Sequence, residues 1–122
     1  MGEMKKIIIV EDERPMLKAL TIKLQNEGFE VADCADADVF FQNMKQSKFD
    51  LILMDLMLPK ISGFDVLEKL KNEKNTTPVI VASNLSQNED KERAKNLGAI
   101  DYIVKSETSL SEIVEKIKLF LK

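Results

Sequence analysis

Apolar residues recur in two rhythms along this chain. Lys6–Val10, Leu51–Met54 and Val79–Ala82 are short, nearly unbroken apolar runs, which suit strands buried on both faces. Phe29–Cys34 alternates and is better placed at a sheet edge, and Ile100–Val104 completes a set of five strands. Between them the spacing turns helical. Leu17, Leu20 and Leu24, with Ile22 nearby, form a stripe after Pro15, whose fixed φ suits a first helical turn, and Gly28 can end that helix. Asp36 can cap a second helix. A third follows Ser62-Gly63 through Phe64, Val66, Leu67 and Leu70 and ends in the polar stretch before Pro78. Ser86-Gln87-Asn88-Glu89 and Ser109-Leu110-Ser111-Glu112 have capping-box spacing for two more, with Gly98 closing the fourth. Strand and helix alternating in this way predict an α/β fold: a parallel sheet covered by helices on both faces.

The chain has 122 residues, the usual length of one domain, so residues 1–122 are expected to share a single core. Apolar residues make up 44% and charged ones 32%, which points to a soluble globule rather than a disordered tail. A net charge of −3 supplies no basic field for a phosphate backbone, so direct nucleic-acid binding is not expected. Cys34 is the only cysteine, which excludes an internal disulfide and suits a reducing cytoplasm. No apolar run approaches the ~20 residues needed to cross a bilayer, and Met1–Met4 has no apolar signal core. Met4, Met16, Met44, Met54 and Met57 share no spacing, and core filling explains most of them. Glu89–Lys95 reads first as a solvated helix face.

Open α/β sheets bind ligands beyond the carboxyl ends of their strands. At those ends stand Glu11-Asp12 after the first strand, Asp55 after the third, Ser83 after the fourth and Lys105 after the fifth. Any one of them alone has an ordinary explanation. An acid after a strand is usually a turn or cap residue, a serine there a loop cap, and a lysine an exposed cation. Together they gather three carboxylates that would repel one another unless protons or a cation intervened. Oxygen donors without His favour Mg²⁺, with Mn²⁺ able to substitute, over zinc. Lys105, as a mobile positive charge, and the Ser83 hydroxyl could stabilise an anion placed on Asp55.

These residues resemble the receiver domain of two-component response regulators over essentially the whole chain. Ile7–Pro15 looks like that family's first strand and acidic pair, and Asp50–Pro59 like its phosphoacceptor strand and following loop. Gly63, Ser83 and the segment Gly98–Lys105 match further family positions. The resemblance implies a flavodoxin-like (βα)5 fold with strand order 2-1-3-4-5. It implies a phosphorylation-dependent signalling switch in which Asp55 takes a phosphoryl group from a sensor histidine kinase or histidine phosphotransfer protein. Asp12 and Asp55 would be direct metal ligands, Glu11 would act chiefly through water, and the backbone carbonyl of Met57 would supply another oxygen. Ser83 and Lys105 would hold the phosphoryl oxygens. Movement of Ser83 would let Tyr102 turn inward and alter the face of helix 4, strand 5 and helix 5. A downstream target, a fused output domain or a second copy would read that face, with charged pairs from Glu89–Lys95, Glu112, Glu115, Lys116 and Lys118 complementary across a dimer. The chain would be no enzyme beyond its own phosphoryl transfer and autodephosphorylation.

Two departures stand out. Lys105-Ser106 replaces the usual Lys-Pro pair, which removes the low cost of the family's cis bond and leaves cis or trans open, with the placement of Lys105 depending on it. Asn84 replaces a small residue after the switch hydroxyl, which predicts an altered autodephosphorylation rate. Rival readings fare worse. An FMN binder wants a Gly- and hydroxyl-rich loop after the first strand, where Glu11-Asp12-Glu13 would repel the phosphate. A haloacid-dehalogenase-type phosphatase wants a second acid two residues past its nucleophile, where Arg14 and Met57 stand. The alternative kept open is a receiver-like interaction module that signals without phosphorylation. The sequence names neither the kinase nor the output.

Overall fold

The computed structural model describes residues 4–122; Met1–Glu3 lie outside the described residues. Five parallel strands, β1 (Lys6–Val10), β2 (Glu30–Cys34), β3 (Leu51–Met54), β4 (Val79–Ser83) and β5 (Asp101–Val104), form one sheet in the order β2-β1-β3-β4-β5. This is the expected order, with β2 at an edge. Helices α1 (Arg14–Asn26), α2 (Ala37–Gln46), α3 (Gly63–Asn72), α4 (Asn88–Asn96) and α5 (Leu110–Phe120) connect and follow the strands, and a short 3₁₀ turn spans Lys105–Glu107.

Successive strand residues point to opposite faces, and the core divides accordingly. Ile8 and Val10 of β1 pack with Phe40 of α2, Phe64, Val66, Leu67 and Leu70 of α3 and Ala94 of α4. Ile7 and Ile9 pack on the other side with Leu17, Leu20 and Leu24 of α1 and Ile113, Val114 and Ile117 of α5. The three central strands are buried almost throughout, which is why their sequences lack alternation. Ile22 departs from the expected stripe and is 46% exposed. Two positions of a helix turn about 200°, so a residue midway between Leu20 and Leu24 faces away from them.

Local chemistry fixes the helix ends. Asp36 accepts a hydrogen bond from the Val39 amide at 2.9 Å, and Ser109 and Glu112 form the expected capping box. The box expected at Ser86–Glu89 does not form. Helix α4 begins at Asn88 with Gln87 as its uncapped N-cap, which leaves Ser86 one residue outside. A reciprocal box forms instead at α3, where Ser62 accepts from the Asp65 amide and Asp65 from the Ser62 amide. An aspartate at the third helical position here does the work of the more usual glutamate. Gly28 and Gly98, with φ of +95° and +105°, end α1 and α4 in the left-handed conformation glycine tolerates.

Helix α4 buries only Ala94, so the charged run along it is a mostly solvated face as expected, and the Arg93 guanidinium covers the Phe64 ring at 4.1 Å. Met54 fills the core and Met16 and Met44 pack against it, but Met4 and Met57 are more than half exposed and are not core residues. Cys34 is fully buried, and burial, followed by the charges of Asp33 and Asp36, pushes its thiol up to about 12. It is an inert core side chain. No helix among the described residues is long and apolar enough to cross a membrane.

Candidate functional site

Adjacent parallel strands in register deliver their next residues to the same place. Val10 of β1 stands opposite Met54 of β3, so Glu11 and Asp55 leave the sheet side by side. The Asp55 amide donates to the Val10 carbonyl at 2.9 Å and the Glu11 amide to the Cys34 carbonyl at 3.0 Å, extending the ladder to the residues themselves. Asp12 follows one position on. One carboxylate oxygen from each of Glu11, Asp12 and Asp55 lies within 4.8 Å of the others. Glu11 and Asp55 are buried, whereas Asp12 faces solvent.

Lys105 enters from the end of β5 and lies inside this cluster. Its Nζ donates to Glu11 Oε1 at 2.7 Å and to Asp55 Oδ2 at 3.0 Å, with its side chain only 7% exposed. The sequence suggests a mobile cation facing the acids; the structure shows a buried one clamped between two of them. A third partner, Glu13 Oε1, sits at 3.5 Å on the open side. Glu13 has no signal in the sequence beyond being the third acid in a row, and its amide also donates to Glu11 Oε2 at 3.1 Å. Both oxygens of Glu11 are therefore occupied, which suits a carboxylate that orients its neighbours.

The electrostatics follow from this geometry. Burial pushes the Glu11 carboxyl up to about 7; the Lys105 hydrogen bond pulls against it and the Asp55 charge reinforces it. Burial alone would lower the Lys105 ammonium, but the hydrogen bonds and charges of Glu11 and Asp55 outweigh it and hold the group above its ordinary value. The lysine stays charged at neutral pH.

Ser83 is the last residue of β4, paired with Val104, rather than the first beyond the strand, and it is fully buried. Its Oγ accepts from the Leu85 amide at 3.2 Å. The Leu85 carbonyl in turn accepts from the Tyr102 hydroxyl at 2.7 Å. One peptide segment thus joins the two expected switch residues, a link that no sequence pattern marks because it runs through backbone atoms. Tyr102 is half-buried, and burial raises its phenol above the ordinary range. Asn84 is exposed. The Met57 side chain is 56% exposed, but its amide donates to Asp55 Oδ1 at 3.1 Å and holds that backbone at the rim. The Lys105–Ser106 bond is trans, since no cis peptide occurs among the described residues.

The model for the response regulator receiver domain family matches residues 7–118. Response regulator ArlR of Staphylococcus saprophyticus is 34% identical over 119 residues, covering 98% of this chain and 53% of its own. The chain spans about half the length of the curated relatives it matches first. A CheY-like receiver domain protein from Methanospirillum hungatei superposes with a TM-score of 0.89 at 30% identity, covering 98% of this chain and 94% of the other. The Thermotoga maritima response regulator TrrA, solved with Mg²⁺-BeF, superposes with a TM-score of 0.81 at 28% identity, over 94% and 97% of the two chains.

Proposed function

Because this chain belongs to the response regulator receiver domain family, we propose that it is a phosphorylation-dependent switch whose acceptor is Asp55. The observation that carries the assignment is the buried Lys105 bridging Glu11 and Asp55 beside Asp12. A carboxylate oxygen of Asp55 attacks the phosphorus of a phosphohistidine on a sensor kinase or phosphotransfer protein. The O–P bond forms as the P–N bond breaks, and the electron pair leaves on an imidazole whose other ring nitrogen carries the proton. Asp55 thereby exchanges its carboxylate for a mixed anhydride, and its hold on Lys105 passes to the phosphoryl oxygens. The Ser83 hydroxyl, which accepts from Leu85, still has its own hydrogen to donate to them.

Glu11, Asp12 and Asp55, with the Met57 carbonyl, fit a hard divalent cation because every donor is oxygen and the three carboxylates converge. When bound, Mg²⁺ supplies positive charge against the acids and the phosphoryl oxygens. Lys105 alone leaves the cluster net negative, which supports the reading of a cation site.

Output runs through Leu85. Recruitment of Ser83 to the phosphoryl displaces the Leu85 peptide, and the Tyr102 hydroxyl bonded to it follows, shifting the population of the face formed by α4, β5 and α5. A downstream target, a fused output domain or a second copy of the chain reads that face in the cytoplasm. Charges there are partly committed within the chain, Lys116 to Asp101 and Lys118 to Glu27.

Incubation with acetyl phosphate and Mg²⁺ tests the acceptor directly. The intact chain gains the mass of one phosphoryl group, and Asp55→Asn gains none; an unmodified parental chain beside a labelled control receiver would point to an interaction module instead. The same labelled protein tests Asn84. Asn84 is exposed and directly follows Ser83. If its amide screens or orients the attacking water, Asn84→Ala changes the phosphoryl lifetime by about threefold or more; equal decay curves would dismiss that role.

A further inference from the structure

The acceptor aspartate leans on a residue with no side chain. The chain leaves β3 at Asp55, loops out, and returns at the first residue of α3, where the Gly63 amide donates to the Leu56 carbonyl at 2.8 Å. A Cβ on Gly63 would lie 2.5 Å from the Asp55 carbonyl oxygen and 2.7 Å from Leu56 Cα, with Leu56 Cδ2 at 3.1 Å. Real Cβ contacts essentially never fall below 3.0 Å, and the two nearest atoms are backbone, which no rotamer change can move aside. Two features hold the loop at this approach, and a third sets the helix start without touching the acceptor. Lys60 adopts φ of +71°, a conformation that favours glycine, the Ile61 amide bonds the Pro59 carbonyl at 2.8 Å, and the Ser62–Asp65 capping box sets where the helix begins.

We propose that Gly63 is a positioning residue for phosphoryl transfer: its bare Cα lets α3 dock directly on the Asp55 backbone and so sets the height and direction of the acceptor carboxylate. This rests on the assignment of Asp55 as acceptor. The route is short. Pushing the Asp55 carbonyl back by about half an ångström or more tilts the peptides of residues 55–57. The Met57 amide that holds Asp55 Oδ1 at 3.1 Å moves with them, and Oδ2 turns away from the Lys105 ammonium at 3.0 Å. A misplacement of about 1 Å at a reacting group slows a reaction on the order of 100-fold, so a shift near half that size slows acceptor labelling by roughly tenfold or more.

The test compares two variants at the same helix terminus. Gly63→Ala adds the methyl group that strikes Asp55. Ser62→Ala breaks the capping box and weakens the start of α3 without placing anything against the acceptor. Labelling by acetyl phosphate at saturating Mg²⁺ is followed by intact mass, and each rate is divided by the folded fraction from circular dichroism. Should Gly63→Ala be only partly folded, all three proteins are measured in trimethylamine N-oxide, which favours the compact state without occupying the site. The proposal expects Gly63→Ala to be labelled roughly tenfold or more slowly per folded molecule, the loss lying in the maximal rate and not in the acetyl phosphate concentration that half-saturates it, while Ser62→Ala stays within about twofold of the parental rate. A Gly63→Ala rate within twofold of parental, or an equal loss in Ser62→Ala, overturns it. Absence of label on the parental chain would instead overturn the acceptor assignment and this role with it.

Discussion

Replacing Lys105 by Met is expected to destabilise the metal-free protein by about 3–5 kcal/mol, because it strands two buried carboxylates that now share one ammonium. For a chain of this length that corresponds to a fall in Tm of roughly 10 °C or more, measured by thermal unfolding in a chelator. The loss depends on pH in a defined direction. Burial holds Glu11 at about 7 in the folded chain, against 4.5 for an ordinary glutamate carboxyl. Between those limits the folded state keeps a proton that the unfolded state has released, so the contribution of Glu11 to stability is full in acid and declines as pH rises towards 7. Removing the lysine charge raises the carboxyl further, so the deficit of Lys105→Met widens from pH 5 to 8. A variant within about 1 kcal/mol of the parent at pH 8 would show that the buried triad contributes little.

Magnesium should act on the same cluster in the opposite sense. The unfolded chain offers no such grouping of carboxylates, so Mg²⁺ at a hundred times its Kd stabilises the fold by about 2.7 kcal/mol. Differential scanning calorimetry should show a rise in Tm of roughly 8 °C. Asp12→Asn and Asp55→Asn each remove one of the three converging carboxylates and should lose most of that rise, while Asp38→Asn, on α2 and paired with Lys60, should keep it. A full Mg²⁺ shift in Asp55→Asn would place the ion elsewhere.

The fold could be read from the sequence wherever burial was symmetrical. Ile7–Val10 and Leu51–Met54 lack alternation because helices cover both faces, and that lack alone marks them as central strands. The converging rim was also legible, since parallel register carries the residues after β1 and β3 to one point without any long-range information. What escaped was set by three-dimensional placement. Ser86–Glu89 has the spacing of a capping box, but α4 begins one residue later than that spacing implies, with Gln87 as its N-cap, so Ser86 lies outside the helix and no box forms. Glu13 and Leu85 were missed because each acts through a bond defined only when distant segments meet, Glu13 with Lys105 and the Leu85 backbone with Tyr102. Lys105 was expected as a mobile charge because nothing in a sequence tells an exposed lysine from one enclosed by acids 50 and 94 residues away.

Borohydride reduction of the acetyl phosphate-treated chain, followed by peptide mapping, tests the central claim most directly, since it converts an aspartyl phosphate to homoserine at the residue that bore it. The buried lysine between Glu11 and Asp55 predicts homoserine at position 55 and nowhere else. Homoserine at position 12, or a chain recovered with every acid intact, would contradict it.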